Sequence, residues 1–167
     1  MRSLSFFPNL SFRLLSLTVW GVLFVAGASV TNAITLTSQE QALASSLTGS
    51  SGQNRPFLRL DPTLTQVARS RAADMARRGY FAHVNPDGKG PNQLIREAGY
   101  PLPEWWGTDR QTNYVESIAA GRSSASATWS DFMNSAAHKK HLLAESDFYQ
   151  EQTSFGIGHV SVPGSKY

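Results

Sequence analysis

The chain has 167 residues, 41% of them hydrophobic, with 15 basic and 12 acidic side chains and no cysteine. Two of the basic residues, Arg2 and Arg13, fall in a leader-like N-terminus, so the remainder carries 13 basic against 12 acidic residues. So even a balance argues against a nucleic-acid partner, and the missing cysteines exclude both a disulfide scaffold and a thiol nucleophile.

Residues 14–30 run without a charge behind those arginines, and Thr31-Asn32-Ala33 offers the small residues that a signal peptidase cuts beside. Residues 1–33 therefore read as a secretory signal, cleaved after Ala33, which sends the protein to the periplasm or outside the cell. The alternative is an uncleaved N-terminal anchor, because 17 uncharged residues approach the lower limit of a spanning helix. The Ser, Thr and Gly within the stretch favour cleavage, which leaves no stable membrane span. Residues 34–167 suit one compact domain, stabilised by packing alone.

Thr37 and Glu40 have capping-box spacing and predict a short helix to about Leu47. The Gly- and Ser-rich run from Thr48 to Asn54 reads as a flexible polar link. Asp61 as N-cap, Pro62 at the first helical position and Gly79 as terminator bound the next helix. Its apolar face is Leu64, Val67, Ala68, Ala72, Met75 and Ala76, with Arg69, Arg77 and Arg78 off it. Pro91 opens a shorter helix with Leu94, Ile95 and Ala98 inward and Gly99 at its end. Tyr100 to Tyr114, with Pro101, Pro103, Trp105, Trp106 and Gly107, is a long irregular loop. Ser126 to Met133 is helical, His138 to Leu143 forms a short turn, and the alternation from Thr153 to Val162 predicts a strand. Helices early and a strand late give an α+β class.

The chemistry rests on His83, which follows the aromatic pair Tyr80-Phe81 and precedes Asn85-Pro86-Asp87-Gly88, and on Glu116 and His138. Two imidazoles and a carboxylate make a set able to hold a cation or activate water, though no compact ligand motif such as HExxH is present. The ordinary alternatives are a histidine bonded to a backbone carbonyl and a surface acid. Glu116 has apolar neighbours in Val115, Ile118 and Ala119, so its carboxylate needs a partner. His141, separated from His138 by Lys139 and Lys140, reads as solvated, and His159 falls on the last strand. Ser117 and Ser135 lie close in sequence to the candidate residues, but no serine stands in a Gly-x-Ser-x-Gly elbow. Gly88-Lys89-Gly90-Pro91 lacks the spacing of a phosphate loop. Trp105 and Trp106 offer a binding platform or plug a core edge.

Taken in order, these segments resemble the CAP superfamily of SCP-like extracellular proteins, in its bacterial branch. Tyr80-Phe81-Ala82-His83 with Asn85-Pro86-Asp87-Gly88 is similar to the family's Tyr-Phe-Ser-His-x-Ser-Pro-Asp-Gly signature. Ile95 to Tyr100 resembles its Arg-Ile-x-x-Ala-Gly-Tyr segment, and Val115-Glu116-Ser117-Ile118-Ala119 its Gly-Glu-Asn-Ile-Ala. Phe132 to His138 resembles Trp-Met-Asn-Ser-Pro-Gly-His, and Phe155-Gly156-Ile157-Gly158 fits the family's strand signature. The resemblance covers about residues 38–167. It implies an α-β-α sandwich with helices on both faces of a small, mainly antiparallel sheet. It also implies a cavity shared by His83, Glu116 and His138, which some members use for a divalent metal such as Zn²⁺ or Ca²⁺. Ser117 replaces an amide that would orient the loop, and Ser135 stands where many eukaryotic members carry a second glutamate. The chain stops at Tyr167, about where a last strand would pair, which implies a sheet one strand short or a truncated sequence.

The reading that follows is a secreted, non-enzymatic binding module whose His/Glu-lined cavity takes a small ligand, a metal, a protein or a cell-envelope component. Its rival is a metal-dependent hydrolase acting on peptides, with a cation on His83 and His138 and Glu116 as base. A third reading is an envelope structural or adhesion protein that uses a sheet edge or the Trp105-Trp106 loop.

Overall fold

The computed structural model describes residues 34–163; the leader expected over residues 1–33 lies outside them. Helix α1 (Ser38–Thr48) starts on the expected reciprocal cap: Glu40 N donates to Thr37 Oγ1 at 3.3 Å, and Thr37 N to Glu40 Oε2 at 2.8 Å. Glu40 does more than cap. Fully buried, it takes Arg69 on both oxygens, at 2.8 and 2.6 Å, and accepts from His159 N at 3.2 Å. One carboxylate thus ties α1 to the next helix and to the C-terminal segment.

Strand β1 (Arg59–Leu60) leads through the Asp61 N-cap into α2 (Pro62–Arg78), which Gly79 ends in a left-handed turn at φ 66°. The remaining helices are α3 (Pro91–Glu97), α4 (Ala125–Met133), α5 (Ala136–Leu142) and α6 (Asp147–Gln150), with a 3₁₀ turn at Glu104–Trp106. In α3 Ile95 is buried as expected, whereas Ala98 lies past the helix end and is exposed. Helix α1 packs on α4, and Gln39 Oε1 accepts from Ala125 N at 2.8 Å where they meet. Among the described residues Ala44, Leu47, Met75, Ile95, Phe132, Leu143, Ala144 and Ile157 are the buried apolar side chains of the core. No helix among the described residues is long and apolar enough to cross a membrane.

The α+β class holds, but the expected mainly antiparallel sheet does not. Strand β2 (Ser154–Phe155) pairs with β1 in parallel, Arg59 opposite Ser154 and Leu60 opposite Phe155. A parallel pair requires a long crossover, and here α2 to α6 supply it. The strand foreseen over residues 153–162 also shortens to two residues, because the chain beyond β2 lies against a helix. A Cβ on Gly156 would sit 2.1 Å from the Leu64 carbonyl carbon, and one on Gly158 would sit 2.2 Å from that of Ala68. Two residues of extended chain advance about 6.6 Å and four of a helix about 6 Å, so glycines two apart match residues four apart on α2.

The polar run before β1 is also tighter than its composition suggests. Gln53 Nε2 donates to Leu142 O at 3.0 Å and Asn54 Nδ2 to Leu143 O at 2.9 Å. Arg55 donates to the carbonyls of Leu142 and His141 at 2.8 and 2.9 Å. Together they bind the carbonyls at the end of α5, of which His141 O also accepts from Ala144 N at 3.2 Å.

Candidate ligand site at His83 and Glu116

Arg71 organises this site. It lies on α2 in register with Leu64, Ala68 and Met75, so a guanidinium occupies the apolar stripe and is only 4% exposed. Gly79 reverses the chain, which brings residues 80–83 back along the end of α2. Arg71 then donates to the carbonyls of Ala82 and His83, both at 2.9 Å, and to Tyr80 Oη at 2.6 Å. Tyr80 in turn donates to Asp74 Oδ2 at 2.6 Å. Burial and that carboxylate push the Tyr80 phenol up to about 12, so it remains a donor.

Glu116 closes the cluster. Arg71 Nε reaches its Oε2 at 2.9 Å, Arg71 Nη2 its Oε1 at 3.2 Å, and His83 Nδ1 lies 2.9 Å from Oε1. Burial works against the Arg71 charge, but the Glu116 carboxylate outweighs it and holds the guanidinium more firmly protonated than usual. The Glu116 loop is fixed from within. Asn113 Oδ1 accepts from Val115 N and Glu116 N at 3.2 and 2.9 Å, and its Nδ2 donates to Glu116 O at 3.1 Å.

His83 and Glu116 therefore meet. With Nδ1 committed to the carboxylate, His83 keeps Nε2 for a ligand, and 41% of its side chain is exposed. His138 packs on Phe132, ring centroids 5.0 Å apart, and its imidazole makes no hydrogen bond among the described residues. Burial lowers its pKa, and the charge of His83 lowers it further. Ser135 is the N-cap residue of α5 without a side-chain cap bond. Ser117 turns away from Glu116: its Oγ lies 2.8 Å from His141 Nδ1. Half-buried His141 is pushed down to about 4, by burial first and the Arg55 charge second. It is not the solvated residue its lysine neighbours suggested.

These residues match known proteins. The sequence profile of the cysteine-rich secretory protein family, CAP, covers residues 30–167. The chain belongs to the CAP family. It is 28% identical over 103 residues to "Uncharacterized protein YkwD" of Bacillus subtilis (strain 168), an alignment covering 62% of this chain and 35% of that protein. The chain thus spans about a third of the length of the curated relative it matches. No solved structure matches it.

A divalent metal on His83, Glu116 and His138 was the cofactor implied by CAP membership. Among the described residues no group of three or more His, Asp or Glu side chains is placed to hold a metal ion. Both Glu116 oxygens already accept from Arg71, whose positive charge would face any cation bound to them. The residues present do not fit that three-ligand centre. Asn113 does the orienting work for which Ser117 lacks an amide. Arg71 and His141 were missed: the first because a charge on an apolar stripe reads as an exception, the second because of the two lysines before it.

Proposed function

We propose that this CAP protein is an exported binding module whose His83 site captures a small polar ligand without turning it over. The observation that carries this reading is the Arg71–Glu116–His83 clamp. Both Glu116 oxygens are occupied by Arg71, and Oε1 also by His83 Nδ1, so Glu116 serves to orient His83 rather than to position a water. What remains for a ligand is the outer nitrogen of His83 and the imidazole of His138. Burial favours neutral His138, which suits it to accept from a hydroxyl or amide as well as donate. Export rests on the leader pattern of residues 1–33.

The test combines fragment screening by NMR with an activity assay. Small hydroxyl- and amide-bearing fragments should shift the His83 and His138 imidazole resonances, and His83→Ala with His138→Ala should abolish those shifts. Zn²⁺ and Ca²⁺ should show no tight one-to-one binding, and a peptide library should survive incubation with either metal. Metal-dependent cleavage that Glu116→Gln abolishes would reverse the reading in favour of the hydrolase.

A further inference from the structure

The loop between α3 and α4 carries a second recognition feature, outside the His83 site. Trp105 and Trp106 meet edge to face at 5.9 Å, and Trp105 meets Phe148 of α6 at 6.0 Å. Tyr114 packs edge to face on Trp106 at 5.7 Å and on Phe148 at 5.6 Å. This mutual packing sets the planes of the rings without hiding them: Trp105 is 68% exposed and Tyr114 41%. A cleft of about 380 Å³ opens there, lined by Trp105, Tyr114, Lys140, Ser146, Phe148 and Tyr149.

Of those six residues Lys140 alone is charged, and it has no ion pair among the described residues. Its neighbour Lys139 faces Glu145 at 3.8 Å. The cleft therefore combines a fixed aromatic surface, one ammonium and the hydroxyls of Ser146, Tyr114 and Tyr149. An acyl chain needs an enclosed apolar channel, and a nucleic acid needs many cations where this cleft offers one. A pyranose needs what is present: an aromatic plane for its C–H face, and polar groups at the edge for its hydroxyls. The ammonium adds a preference for a sugar bearing a carboxylate. Because the rings are already held by one another, stacking costs little further ordering.

We propose that this cleft binds a hexuronic acid-containing saccharide, its C–H face stacked on Trp105 and Tyr114 and its carboxylate paired with Lys140. Tyr149 also packs on His141, ring centroids 4.9 Å apart, so the cleft lies beside the Ser117–His141 pair, and His83 is not among the residues that line it.

Calorimetric titration of the full chain with tetragalacturonic acid, against neutral cellotetraose, tests the assignment. Tetragalacturonic acid should bind saturably, and Trp105→Ala should weaken it by about tenfold or more. Lys140→Met should reduce the acidic sugar to the level of cellotetraose, and His83→Ala should leave binding unchanged. Both Trp105 and Lys140 are exposed, and thermal melts matching the wild type would show that the variants fold. Absence of saturable binding, indifference to Trp105→Ala, or loss on His83→Ala would each overturn the stacking site. Equal affinity for the two sugars would overturn the Lys140 carboxylate contact.

Discussion

Acidification should destabilise this protein through His141 well before its carboxylates titrate. The imidazole lies half-buried beside Ser117 and near Arg55, and its pKa is pushed down from 6.5 to about 4. The unfolded chain recovers the ordinary value, so between those two pH values it binds a proton that the native state refuses. Stability therefore rises with pH across that window: the contribution is complete above the unfolded value and is lost as the pH falls towards the folded one. Integrated from about pH 7.5 to about pH 4.5, the loss is roughly 2.5 kcal/mol. That is a large part of a stability on the order of 5–15 kcal/mol. Urea unfolding at half-unit pH steps would read it, with His141→Asn alongside as a partner for Ser117 that does not titrate. The wild type should approach a slope of about 1.4 kcal/mol per pH unit near pH 5, and the variant should be flatter by nearly that amount. His138 is displaced in the same direction and leaves some residual slope. Glu40, held down to about 2 by Arg69, loses its contribution only as the pH falls from about 4.5 towards that value, largely below this window. Identical slopes for the two proteins would refute the argument, since His141 would then titrate as a solvated side chain.

Arg71→Met should cost about 3–5 kcal/mol in chemical unfolding, because it strands Glu116 and two backbone carbonyls. Adding Glu116→Gln should recover part of that loss, and in the single variant the His83 Nδ1 resonance should shift. Gly156→Ala should lower stability by about 2–3 kcal/mol or more, because the methyl lands on the α2 backbone at Leu64. Wild-type denaturant midpoints in that variant would contradict the close approach. Asp61→Ala, which removes the acceptor for Leu64 N at 3.0 Å, should cost about 1 kcal/mol in a thermal melt, against a few tenths for Asp61→Gly.

What was legible in the sequence follows from how far each interaction reaches. The Thr37–Glu40 cap, the Asp61-Pro62 start and the Gly79 stop are settled within four residues, and all three form as expected. Strand pairing is not local. Alternation from Thr153 onward announces an extended chain, but it carries no information on the direction of its partner, or on whether that partner is a strand or a helix. The Gly156-x-Gly158 pair was a visible mark of close backbone approach, and only the structure identifies α2 as the surface approached. Composition misled at Gln53 and Asn54, where a Gly- and Ser-rich context suggested slack. The polar side chains there are ordered by carbonyls almost ninety residues away.

The two histidines of α5 show the same limit. Lys139 and Lys140 before His141 suggest a solvated face, yet adjacent residues on a helix point about 100° apart, so Lys140 says little about the face of His141. Its own face is shared with His138, one turn earlier, a residue already assigned to the site. The helical spacing thus held the correct inference, and flanking charge was the wrong feature to weigh. Arg71 follows the same logic on α2. Seven residues after Leu64 and four before Met75, it sits on the buried stripe, and a permanent cation buried there demands a carboxylate from elsewhere in the chain. Glu116, set among Val115, Ile118 and Ala119, was the carboxylate lacking a partner. Pairing the buried cation with the unpartnered acid would have put His83 beside an occupied carboxylate and argued against a metal ligand there.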